Sequence, residues 1–154
     1  MKEKLLTIVF AALAFTTLSA TALAQRNPTP ALDRDPLMEQ DAKHNLDVAW
    51  QAFGPARKAY KQVIMRFDET FVAYPDFSKM DEFLYLAGMS SYYLSENKGK
   101  QPVDLKTEKD KKKYAPEKLK DDATTYLSML VDKYPQSKYR DEAEKTLKIL
   151  KPGK

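Results

Sequence analysis

The sequence has no cysteine and a single histidine, His44. Without thiols there can be no disulfide, no thiolate nucleophile, no Cys-ligated zinc and no iron–sulfur cluster. One imidazole is poor material for a His-based metal site or a Ser-His-Asp triad. Only four glycines are present, too few for most phosphate-cradling loops. Lys98-Gly99-Lys100 lacks the first glycine and the following helix of a P-loop. Excess charge of one sign is scarce too. The 26 basic and 22 acidic side chains leave +4, well short of the concentrated basic face of a nucleic-acid binder. These absences argue against an enzyme, and no cofactor or metal is expected. What is present is 154 residues, 43% of them hydrophobic. That is enough for one domain with a core that needs no staples.

Residues 1–24 have the order of a secretory signal peptide. Lys2 and Lys4 form a positive start, and Leu5 to Leu18 is uncharged and mostly apolar. Ala22-Leu23-Ala24 puts small residues at −3 and −1, which predicts cleavage before Gln25. The apolar run is too short to span a bilayer. No cysteine follows it to carry a lipid. The expected product is soluble and exported to the periplasm, either free there or associated with the outer membrane. Loss of Lys2, Lys4 and Glu3 lowers its net charge from +4 to +3. Residues 25–34 contain two prolines and little hydrophobicity and are expected to form a disordered spacer.

From residue 35 to 151 the pattern is helical, punctuated by proline. Asp35-Pro36 reads as an N-cap and a first-turn proline. Ala42, Leu46, Ala49, Trp50 and Phe53 then share one face at the 3-4 spacing of a helix. Trp50 is read as core. Gly54-Pro55 breaks this helix. A second is expected to start at once, with Ala56, Ala59, Tyr60, Val63, Ile64, Phe67, Thr70 and Phe71 on its stripe, ending near Tyr74-Pro75. Ser78 is predicted to cap a third helix, apolar nearly all round from Met80 to Leu94 and so the central element. Residues 97–115 read as a charged, exposed insertion, with a short solvated helix as the alternative. Pro116 opens a fourth helix with Leu119, Ala123, Leu127 and Leu130, and Ser137 is expected to cap a fifth running to Leu150. With no sustained strand alternation, the fold class is all-α.

One phrase occurs twice. Tyr74-Pro75 and Tyr134-Pro135 each end a helix. Six residues beyond each proline an Asp-Glu pair opens the next, Asp81-Glu82 and Asp141-Glu142. Recurring helical hairpins point to a solenoid. Ala123, Leu127, Leu130 and Pro135 carry the spacing of a tetratricopeptide repeat's second helix, and Leu84, Ala87 and Gly88 that of its first. In this pattern the sequence resembles that repeat, with Ser91 at the usual tyrosine position. The Tyr-Pro-x-Ser-x-Tyr-x-Asp-x-Ala phrase at 134–143 is further similar to the BamD/YfiO-type outer-membrane assembly lipoproteins. It is also similar to periplasmic partners of the Tol–Pal system. The likeness covers residues 55–150, with room for about two and a half repeats by the 34-residue period.

The resemblance implies a TPR-like scaffold that binds a protein or peptide in outer-membrane or cell-envelope assembly. It puts the groove-lining positions at Glu82, Tyr85, Met89, Tyr92 and Tyr93. Tyrosine and methionine suit such contacts, being large and partly polar or adaptable. The alternative reading takes Lys109, Lys111, Lys112 and Lys113 as a cell-wall or anionic-lipid module. Asp68-Glu69 and Asp81-Glu82 are not expected to act as acid–base pairs, since helix neighbours point away from one another.

Overall fold

The computed structural model describes residues 34–101 and 105–151, and six helices and no strand occur among them. The signal peptide, most of the spacer and Pro152-Gly153 lie outside the described residues. Helix α1, Pro36–Phe53, opens as its sequence demands: Asp35 accepts a hydrogen bond from the Leu37 N–H at 2.8 Å, with proline at the first helical position. Arg34 is not loose. Its Nε donates to the carbonyl of Asp76 at 2.6 Å, which fixes where the chain enters α1.

The turn after α1 is longer than the sequence suggests. The N–H groups of Arg57 and Lys58 both donate to the Gly54 carbonyl, and the Ala59 N–H donates to Ala52 at 2.8 Å. Lys58 takes the left-handed conformation, φ 44°, to close this loop. Ala56–Ala59 are thereby held out of helical geometry, and α2 spans Tyr60–Ala73 rather than starting at Ala56.

Helix α3, Met80–Ser95, is central. Phe83, Leu84, Leu86 and Ala87 are all fully buried, because α3 packs against α2 on one side and α5, Pro116–Lys133, on another. Gly88 allows the closest approach. A Cβ built there would fall 2.6 Å from Cγ and Cδ2 of Leu127, inside any van der Waals contact. The last helix, α6, spans Arg140–Leu150 and packs on α5. Two hairpins, α1–α2 and α3–α5, followed by α6 make the TPR-like repeat.

Ser78 makes no capping bond, whereas Ser137 Oγ accepts from the Tyr139 N–H at 3.3 Å, one residue ahead of α6. Ser78 Oγ donates to the carboxylate of Glu39, and Ser137 Oγ donates to Asp81 at 2.6 Å. Glu39 lies in the first turn of α1 and Asp81 in the first turn of α3. Each serine thus ties the end of a hairpin back to the start of its own leading helix, and the residues directly before α3 and α6, Lys79 and Tyr139, make no side-chain cap bond.

The charged insertion contains a sixth helix, the short-helix alternative rather than an open excursion. Helix α4, Glu108–Tyr114, is capped by Thr107, which accepts from the Asp110 N–H at 3.1 Å. Tyr114 anchors it, buried with Tyr60, Ile64, Leu94 and Leu119 in a second, smaller core.

Seven tyrosines have phenols that ionise above their ordinary range, principally because burial disfavours the phenolate. Tyr126 is pushed up to about 12, first by burial and then by the Asp122 and Asp68 carboxylates. Unfolded tyrosine ionises near 10, so above that pH the unfolded chain sheds protons that the folded chain retains. Stability is therefore complete below about pH 10 and falls as pH rises toward and through 12. Unfolding should coincide with the rise of tyrosinate absorbance in an alkaline titration. A chain still folded with all its tyrosines ionised would contradict this.

Candidate functional site

The face of α3 that carries Glu82, Tyr85, Met89, Tyr92 and Tyr93 turns toward α1 and α6, and the structure divides those residues into two groups. Tyr85 and Met89 are covered, only 6% and 3% exposed. Tyr139, just before α6, stacks on Tyr85 with ring centroids 4.5 Å apart and planes 15° from parallel. From α6 itself, Thr146 Oγ1 contacts the Met89 sulfur at 3.5 Å. These two side chains hold the chain's own last helix in place and offer no surface to a partner.

Glu82, Tyr92 and Tyr93 remain half-buried. Glu82 is a polar joint between three helices. Its Oε1 accepts from the Trp50 indole N–H at 2.6 Å and from the Tyr139 hydroxyl at 3.1 Å. Trp50, read as core, is thus a half-buried ring with its polar edge committed to α3. Replacing Glu82 with alanine should leave both donors without this acceptor and cost about 1–2 kcal/mol. Trp50 is the only tryptophan, so its emission should shift with the loss. Native emission together with native stability would show that the joint carries no load.

Tyr93 leads into a feature that the sequence did not single out. Its ring packs on Phe53 at the end of α1, centroids 6.0 Å apart, and on Tyr60 at the start of α2, 5.3 Å apart. These rings wall a cleft of about 470 Å³ beside the Gly54-Pro55 turn, with Lys58 and Lys98 also lining it. Lys98 Nζ lies 5.3 Å from the Tyr92 ring centre and 5.8 Å from that of Tyr93, within cation–π range. The segment after α3 is held against the α1–α2 turn. Lys100 donates its backbone N–H to Lys58 at 3.1 Å and its Nζ to Ala56 at 2.8 Å. A signal existed in the sequence: Gly54-Pro55 and Asn97-Lys98-Gly99 are the two loops at the same end of consecutive antiparallel helices, each flanked by aromatics.

The four lysines of the alternative reading are not one free cluster. Lys113 pairs with Asp68 of α2 at 2.7 Å and Lys111 with Glu108 at 2.8 Å, while Lys109 and Lys112 are exposed. His44 is an exposed residue of α1. Among the described residues no three His, Asp or Glu side chains gather as metal ligands, and no helix is long and apolar enough to cross a membrane.

The model of one family, YfiO, described as an outer membrane lipoprotein, matches residues 18–153. The chain belongs to the YfiO family. No curated protein and no solved structure matches it. The family assignment agrees with the all-helical, TPR-like repeat and with the Tyr-Pro phrase that ends α2 and α5. In one respect this YfiO member departs from the description: it has no cysteine to carry a lipid.

Proposed function

We propose that this YfiO-family chain is a non-catalytic periplasmic scaffold that holds a protein or peptide segment during outer-membrane or cell-envelope assembly. The observation that carries the proposal is the half-buried aromatic flank of α3, Tyr92 and Tyr93, continuing into the Phe53–Tyr60 cleft. Monomeric domains bury such rings or use them, and partly exposed tyrosines grouped at the rim of a concavity are characteristic of contact surfaces. Within the set implied by the resemblance, Tyr92 and Tyr93 take the contact role, Glu82 orients Trp50 and Tyr139, and Tyr85 with Met89 supports the platform. With export and no lipid attachment, association with the outer membrane would come through the partner. Two hairpins and a final helix offer a small surface, so affinity should be modest outside a larger complex.

In-cell photocrosslinking from position 92 tests this, since position 85 is too buried to report. Recovery of a barrel-assembly subunit or an unfolded outer-membrane protein is the expected result. Recovery of nothing proteinaceous, with the chain sedimenting on cell wall or membranes only at low salt, would overturn it. That outcome would favour the exposed lysines of α4 instead, because electrostatic contacts weaken as salt rises.

A further inference from the structure

The cleft at the end of α1 has a composition more specific than a general contact surface. Its aromatic walls are Phe53, Tyr60 and Tyr93, its cations are Lys58 and Lys98, and its lining includes no carboxylate. At about 470 Å³ it is an open concavity, wide enough to seat one side chain of a partner against its rings. Apolar walls with a cationic edge favour a guest that has an apolar ring and negative charge beside it. The position of Lys58 adds weight. Its φ of 44° is a backbone conformation that glycine adopts without steric cost, yet lysine occupies it. The Lys100 bonds to Lys58 and Ala56 brace this turn, so the cleft is preformed rather than assembled on contact.

We infer that the cleft bounded by Phe53, Tyr60, Tyr93, Lys58 and Lys98 receives an aromatic side chain flanked by carboxylates, within an internal acidic segment of the partner protein. This rests on the protein-binding reading above and names the chemistry of the segment. The ring enters against Tyr93 and Phe53, and the neighbouring Asp or Glu side chains meet Lys58 and Lys98. Charge complementarity argues for a peptide of this kind, whereas a basic or purely apolar segment would leave both lysines without counter-charge.

The test uses the isotope-labelled exported chain and a capped peptide, N-acetyl-Gly-Asp-Phe-Glu-Gly-amide, with its Asn/Gln counterpart as control. Chemical shifts of Phe53, Tyr60 and Tyr93 are followed by NMR. The acidic peptide should move these signals and bind about tenfold more tightly than the neutral one at low salt, the difference shrinking as salt is added. A Lys58→Gly/Lys98→Gln variant keeps the fold, because glycine suits φ 44° and Lys98 is exposed. It should bind both peptides alike. Equal binding of the two peptides to the unaltered chain, or shifts centred away from the cleft, would overturn the inference. Crosslinking from position 92 in the same variant separates the two levels. If partner capture persists undiminished there, the cleft inference fails while the scaffold reading stands. If the unaltered chain captures no protein, both fail.

Discussion

A Gly88→Val variant is expected to lose about 3 kcal/mol of stability in chemical denaturation, at the upper end of what overpacking a core costs. The reason is the α3–α5 contact. The first added carbon would fall 2.6 Å from two carbons of Leu127 and 3.5 Å from its backbone nitrogen. Leu127 is fully buried and cannot swing aside. The rest of a valine side chain is stiff at χ1 and makes matters worse. Gly88→Ala should be milder, since alanine returns about 1 kcal/mol of helix propensity. Shortening the opposing residue gives the control. Leu127→Ala alone should cost about 2–5 kcal/mol by opening a cavity. Combined with Gly88→Ala it should cost clearly less than the sum, because each change relieves the other. Strict additivity would mean that the close approach is not what Gly88 provides.

Phe67→Ala should be comparably damaging, at about 3–5 kcal/mol. Phe67 is 1% exposed and its ring meets Tyr126 of α5 at 4.7 Å, Phe71 of α2 at 5.1 Å and Phe83 of α3 at 5.7 Å. It is therefore the side chain through which the first hairpin grips the second. In a repeat fold stability depends on such interfaces between neighbours. Phe71→Ala is the comparison, since that ring is 37% exposed and has lost less water on folding. Thermal unfolding of the two variants should differ widely. Equal losses would imply that ring–ring contact, rather than burial between the hairpins, supplies the stability.

The helices were largely legible in the sequence, and the reason is local. Proline at position 36 or 116, the Tyr-Pro stops and a 3-4 apolar stripe all act within one or two turns of the residues that show them. Gly88 was legible for the same reason, as part of a repeat whose spacing fixes a crossing point. The misreadings lie where the decisive partner is distant in sequence. Ser78 and Ser137 donate their hydroxyls to Glu39 and Asp81, 39 and 56 residues away, which no local pattern shows, and only Ser137 also accepts a backbone N–H ahead of its helix. The start of α2 was displaced by hydrogen bonds to Gly54 and Ala52 and by the left-handed Lys58. Helix α4 has only seven residues, too few for periodicity to separate helix from charged loop.

The candidate site was only half readable for a related reason. A row such as Glu82, Tyr85, Met89, Tyr92 and Tyr93 can be read off one helix. Nothing in that helix tells which part its own chain will cover. Tyr139 and Thr146 decide that for Tyr85 and Met89, and they arrive more than fifty residues later. The Trp50–Glu82 bond joins residues 32 apart, and Lys58 and Lys98 meet at the cleft only because two loops fold to the same end of the hairpins.

The bond from Arg34 to the Asp76 carbonyl sets a direction on the molecule. The chain enters at the first turn of α1, whereas the cleft opens beyond the last turn of the same helix. Eighteen helical residues separate the two, about 27 Å at the rise of an α-helix. A segment seated in the cleft would therefore lie at the far end of α1 from the Arg34–Asp76 bond and leave the start of the domain uncovered.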